Sequence, residues 1–181
     1  MLTFLKYLLQ LILAPSSGWE DLSKADPDPD ELARTGLYPL LGVAAATEFL
    51  AFAYLRHAEL AQVLMRAVAD FGAYFVSLFI ARLIFELYLG RLTTNPPSQR
   101  SVQTVCVAGI GLMVLVQIIA NCLPWNLVIL KFLPVYVILI LYKAMPLLGV
   151  KKDSELAYIG LSAAAIVAVP LFIYYLLYLL I

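Results

Sequence analysis

Between Glu59 and Arg91 the chain reads ELAQVLMRAVADFGAYFVSLFIARLIFELYLGR. Its middle, Phe71 to Ala81, carries no charge. On either side stands a pair spaced i,i+4: Arg66 with Asp70, then Arg82 with Glu86. A helix through this stretch is about 50 Å long at ~1.5 Å per residue. The hydrocarbon core of a bilayer is only ~30 Å thick. The stretch therefore reads as a membrane span with charged shoulders, and the rest of the chain reads as helices packed around it.

Composition agrees. Of 181 residues, 64% are hydrophobic and 13% charged, where an ordinary soluble domain has ~25% charged. Mean hydropathy is +0.94. A soluble fold of this size has too little interior for so much apolar surface, whereas a bilayer accepts it. Net charge is zero, with 12 basic and 12 acidic residues, so nothing points to a nucleic-acid partner. Cys106 and Cys122 fall on one expected helix, roughly 24 Å apart at the usual rise. That is too far for a disulfide, and the spacing fits no metal motif.

Working outward to the N-terminus, residues 1–14 read MLTFLKYLLQLILA. Thr3, Lys6, Tyr7 and Gln10 fall on one helical stripe among leucines, the pattern of an amphipathic helix. At ~21 Å it is too short to span. A signal peptide fits poorly, because Lys6 is embedded rather than leading and no small-residue cleavage site follows. An interfacial helix lying on or docked into the membrane fits better. Residues 15–36, PSSGWEDLSKADPDPDELARTG, form an acidic, proline-broken linker on the cytoplasmic side. Within it, Pro29 followed by Asp30 and Glu31 is a helix start. Trp19 suits the headgroup level.

The expected architecture is all-α: a polytopic membrane protein with five transmembrane helices behind the interfacial helix. Residues 1–36 make the N-terminal part and 37–181 the membrane domain. Its spans are about 37–55, 60–89, 102–121, 126–148 and 155–181. Pro134 and Pro146 are expected to bend or fray the fourth span, and Pro170 to kink the fifth. Lys6, Lys24, Arg34, Arg91, Arg100, Lys151 and Lys152 share one side with the N-terminus, while Arg56 leads a short count on the other. The positive-inside rule then puts the N-terminus in the cytoplasm and the C-terminus outside. Gly160, Ala164 and Ala168 repeat every four positions on the fifth span. Small residues let helix backbones approach within lipid, so this stripe packs either inside the bundle or against a second copy. The bilayer is the one partner composition implies; any protein partner is unspecified.

Hairpin geometry sets the depth of each polar residue. With the first turn near His57, Glu48 lies level with Arg66, and Asp70 is one turn deeper. With the next hairpin turning at Pro124-Trp125, Lys131 lies level with Gln117, and Asn121 is nearer the surface. Glu48, Arg66, Asp70, Lys131, Gln117 and Asn121 thus form a candidate ion- or ligand-binding cluster in the outer half of the bundle. Intramembrane ionisable groups are costly alone and are functional candidates by default. The expected arrangement has Arg66 bridging Glu48 and Asp70; the alternative is a structural salt bridge with Arg66 and Lys131 snorkelling outward. Arg82 with Glu86 reads as an ion pair at the inner interface. No HExxH, paired-cysteine or G-x-S-x-G pattern is present. No catalytic residue, metal or cofactor is therefore expected.

The order of features resembles the Yip family, the Ypt/Rab-GTPase-interacting integral membrane proteins, in its bacterial branch. The resemblance rests on Pro15-x-x-Gly18-Trp19 at the entry, Leu89-Gly90-Arg91 after the second span, and YVILILYKAMPLLG over Tyr136–Gly149 before Lys151-Lys152. Asp21-Leu22-Ser23-Lys24-Ala25 stands where eukaryotic members carry an aspartate-leucine-x-glycine-proline signature. The resemblance implies a five-span inner-membrane protein of scaffold or interaction type, without catalytic residues. A small transporter or channel using Glu48, Arg66 and Asp70 is the alternative.

Overall fold

The computed structural model describes residues 1–54, 59–123 and 132–180. Helices α1 (Leu2–Leu13) and α2 (Pro15–Ala25) come first. Then follow α3 (Pro29–Tyr54), α4 (Leu60–Leu92) and α5 (Gln99–Cys122). Last come the ten-residue α6 (Leu133–Tyr142) and α7 (Lys152–Leu179). Among the described residues, α3, α4, α5 and α7 are each long and apolar enough to cross a membrane. The only extended pairing described is a single bridge between Thr93 and Val150.

The stretch quoted first is one unbroken helix, α4. Its inward stripe, including Ala73, Leu78, Ala81 and Phe85, is buried, while Leu64, Val68, Phe79, Leu83 and Leu87 face outward. That outward apolar face is what a lipid-facing helix needs and a soluble one avoids. Helices α3, α5 and α7 all pack on α4, so it is the central post of the bundle.

The acidic linker expected over 15–36 is instead mostly helical. Pro15 and Pro29 each stand at the first position of a helix, where a missing N–H costs nothing and the fixed φ is already helical. Pro29 opens a helix as its sequence context implies, whereas Pro15 starts one where a break was expected. Asp28 caps α3 by accepting from Asp30 N at 3.0 Å, and Asp30 and Glu31 complement the helix dipole. The first long helix thus begins eight residues before the expected span at Leu37.

Proline also explains where the long helices deviate. A π-type turn over Ala33–Leu37 precedes Pro39, and another over Ala163–Ala168 precedes Pro170. A proline ring clashes with the carbonyl four residues back and leaves it without a donor; one widened turn relieves both. One such turn stands before Pro170, where a kink was expected, and the one before Pro39 was not anticipated from the sequence. In the fourth expected span, α6 ends at Tyr142 and tight turns carry the chain to Gly149. Residues 124–131 lie outside the described residues, so the expected turn at Pro124-Trp125 does too.

Helix α1 packs into the bundle by its apolar face. Phe4, Leu8 and Leu11 are buried, while Leu2, Leu9 and Leu13 face out. Two glycines make room for Phe4: a Cβ on Gly36 would stand 2.5 Å from its side chain, and one on Gly111 2.6 Å. Leu11 packs less tightly on Gly18 of α2, where a Cβ would stand 3.1 Å away, and the Gln10 amide hydrogen-bonds the Asp21 carboxylate. Trp19 is buried, with its indole donating to the Ile140 carbonyl at 2.8 Å. This ties α2 to α6. The loops following α4 and α6 are joined by the Thr93–Val150 bridge and by Lys151 N donating to Leu92 O at 3.0 Å.

Candidate functional site

Four of the six sequence-predicted residues meet at the end of the bundle where α3 and α5 finish. Asp70 is 2% exposed and Glu48 8%. The Gln117 amide on α5 donates to Asp70 Oδ2 on α4 at 3.1 Å. The same amide donates to Asn121 Oδ1, also at 3.1 Å. Asn121 Nδ2 then donates to Thr47 Oγ1 on α3 at 3.1 Å, and the Thr47 hydroxyl donates to the Ala44 carbonyl at 2.6 Å. A string of hydrogen bonds thus runs from α4 through α5 to α3. Buried polar groups need such partners, because each unmatched one costs a few kcal/mol or less, up to ~3.

Glu48 enters from the other side. It opens a 3₁₀ turn, Glu48–Leu50, that interrupts α3 and packs against α4. The turn brings the Glu48 carboxyl within hydrogen-bonding reach of Asp70. The site therefore holds two facing carboxyls flanked by amides and a hydroxyl. Tyr174, on the last helical stretch of α7, stands within electrostatic range of both carboxyls and of Arg66.

Several expected pairings are not formed. Among the described residues, Arg66 makes no ion pair with Glu48 or Asp70, so it does not bridge them. Arg66 stands half-buried on α4, while an amide from the neighbouring helix supplies the donor to Asp70. Arg82 likewise does not pair with Glu86. Its Nη1 donates to Asp30 Oδ1 at 2.9 Å, and Glu86 accepts from Gln99 at 3.2 Å and Gln103 at 3.4 Å. Arg82 Nε and Nη2 are buried without a hydrogen-bond partner among the described residues. Arg100 pairs with Asp26 at 3.1 Å. For Arg66 with Asp70 and for Arg82 with Glu86, a donor or acid from another helix stands in place of the i,i+4 neighbour. Lys131 lies outside the described residues.

Sequence reasoning missed Thr47, Asp30 and Tyr174. Thr47 adjoins Glu48, and a hydroxyl beside a buried acid is a readable signal. Asp30 was read only as a helix-start residue. Cys106 is buried and Cys122 exposed, both as free thiols on α5. No group of three potential metal ligands occurs among the described residues. The chain matches no family model, no curated protein and no solved structure.

Proposed function

We propose that the chain is a non-enzymatic integral membrane protein of scaffold or interaction type, similar to the bacterial branch of the Yip family. It crosses the bacterial inner membrane five times, with its N-terminus in the cytoplasm and its C-terminus outside. The observation that carries the scaffold reading is the hydrogen-bond string at Asp70, Gln117, Asn121 and Thr47. Its donors are spent on joining α3, α4 and α5, and it terminates on a backbone carbonyl. That is the behaviour of a clasp between helices.

Five crossings are supported by where helix ends lie. Tyr54 Oη donates to the Cys122 carbonyl at 3.3 Å, at the finish of α3 and α5. Val150 bridges Thr93, beside the start of α5. Leu123 and Gly149 thus lie near opposite ends of α5, ~36 Å apart at helical rise, which supports a return crossing between them. The lysine and arginine bias supports the orientation. Gly160, Ala164 and Ala168 are all exposed, and a Cβ on Gly160 would meet nothing within 4 Å. The stripe thus faces away from the bundle, where a second copy would pack.

The facing carboxyls of Glu48 and Asp70 favour a second reading, a small transporter or channel. Two carboxylates this close repel, and a proton or cation between them relieves the repulsion. Thiol labelling of a Glu48→Cys variant, made in a background lacking the native cysteines, separates the two. Protection from a membrane-impermeant reagent fits a clasp. Rapid labelling from bulk solvent means a water path reaches Glu48, and the scaffold reading fails.

A further inference from the structure

A groove of about 800 Å³ opens between α2 and the chain from Tyr142 to Glu155. It lies at the opposite end of the bundle from the Glu48–Asp70 string. Lys24, Lys143 and Lys152 line it, with Glu20 and Glu155. Glu20 stands 4.0 Å from Lys24 one turn along α2, and Glu155 lies beside the Tyr142 hydroxyl. Among the described residues, neither Lys143 nor Lys152 has a carboxylate within 4.0 Å. The Lys143 ammonium rests over the Tyr142 ring, 5.4 Å from its centre. The remaining wall is largely apolar, with Trp19, Met145, Leu147 and Val150.

The groove is built before anything enters it. Trp19 is fixed by its bond to the Ile140 carbonyl. The segment leading to Lys152 is held by the Thr93–Val150 bridge and by Thr94 N donating to Gly149 O at 3.2 Å. Gly149 makes that turn at φ +63, a left-handed conformation few other residues adopt.

We infer that this groove holds the phosphate headgroup of an anionic phospholipid, with Lys143 and Lys152 facing the phosphate and the Trp19–Met145 wall against the glycerol and first acyl carbons. Three lysines against two glutamates leave one net positive charge on the lining. Basic pockets between helices at the membrane boundary suit anionic headgroups, and the volume lies in the range of small-molecule sites. A free phosphate would use the lysines alone; the adjoining apolar wall is what an amphiphile adds. The inference is independent of the scaffold reading, which rests on the other end of the bundle.

The test uses the full chain in phosphatidylcholine nanodiscs titrated with phosphatidylglycerol, with retained lipid read by native mass spectrometry. Lys143→Gln with Lys152→Gln lowers the apparent affinity for phosphatidylglycerol by roughly tenfold or more. Lys6→Gln with Lys151→Gln removes the same charge from exposed positions outside the groove and changes it by less than about twofold. Lys143→Arg with Lys152→Arg keeps binding. Equal losses in the two glutamine pairs would mean a diffuse surface-charge effect and overturn the site. Retention of phosphatidylcholine equal to that of phosphatidylglycerol would overturn it too. Full displacement of the lipid by inorganic phosphate would make it a soluble-anion site, and the lipid assignment would fall.

Discussion

Gln117 serves two acceptors with one amide nitrogen, Asp70 Oδ2 and Asn121 Oδ1, each at 3.1 Å. Gln117→Leu keeps roughly the same length and strips both acceptors of their donor. Interhelical hydrogen bonds in membranes average ~0.6 kcal/mol and reach ~1.7, so this variant loses about 1–2 kcal/mol. Gln117→Glu loses more, because it sets a third carboxyl beside two others. Denaturant unfolding in detergent micelles measures both. A double-mutant cycle of Gln117→Leu with Asp70→Ala, which removes the acceptor, should show coupling; strict additivity would mean the hydrogen bond contributes nothing. At this scale the sequence was partly legible. Hairpin depth alone grouped Glu48, Asp70, Gln117 and Asn121, because opposed helices rise at the same rate. The same reasoning erred on Arg66 and Arg82. Spacing of i,i+4 says which charges are neighbours along one helix, but a donor from the next helix wins when it reaches the carboxylate with better geometry.

Among the elements, the N-terminal helices depend on contacts that residue types can make or deny. Phe4 fits because Gly36 and Gly111 lack side chains. Gly36→Ala forces the Phe4 side chain to move and loses about 1–3 kcal/mol. Combining it with Phe4→Ala should lose less than the sum of the two singles, read by the same unfolding assay. Asp30 holds the start of α3 to Arg82, whose side chain is 15% exposed against 66% for Asp30. Asp30→Asn leaves the more buried partner uncompensated and loses about 1–2 kcal/mol, discounted for the exposure of the acid. Protease nicking between α2 and α3 should rise with it; unchanged nicking would mean the pair does not latch α3. The four long helices were legible from hydropathy, and Pro170 as a point where the helix departs from regular geometry. The helix start at Pro29 was legible from Asp30 and Glu31, but the helix over Pro15–Ala25 was not, because no acidic residue follows Pro15 in its first turn to mark it as a start. Nor did amphipathicity tell α1 what to bury against: lipid and a protein groove ask for the same apolar stripe.

Across the whole molecule, the stripe of Gly160, Ala164 and Ala168 points outward, so Gly160 can be changed without disturbing the bundle. Gly160→Ala is neutral or stabilising by up to about 1 kcal/mol. On the proposed packing of a second copy against that face, cysteines placed along it crosslink into dimers and Gly160→Leu abolishes them while leaving unfolding unchanged; no crosslinking in the parent chain, or dimers that persist in the variant, would overturn that packing. The N-terminal helices carry a consequence for biosynthesis. Trp19 finds its acceptor, the Ile140 carbonyl, 121 positions later in the chain. At ~5–20 residues added per second, roughly 6–24 s pass between the emergence of the tryptophan and that of its partner. Gly111, which completes the seat for Phe4, is also synthesised late. For that interval Phe4, Leu8, Leu11 and Trp19 have no finished bundle to enter, so the nascent N-terminus offers the insertion machinery an apolar hairpin that only the completed chain can take back.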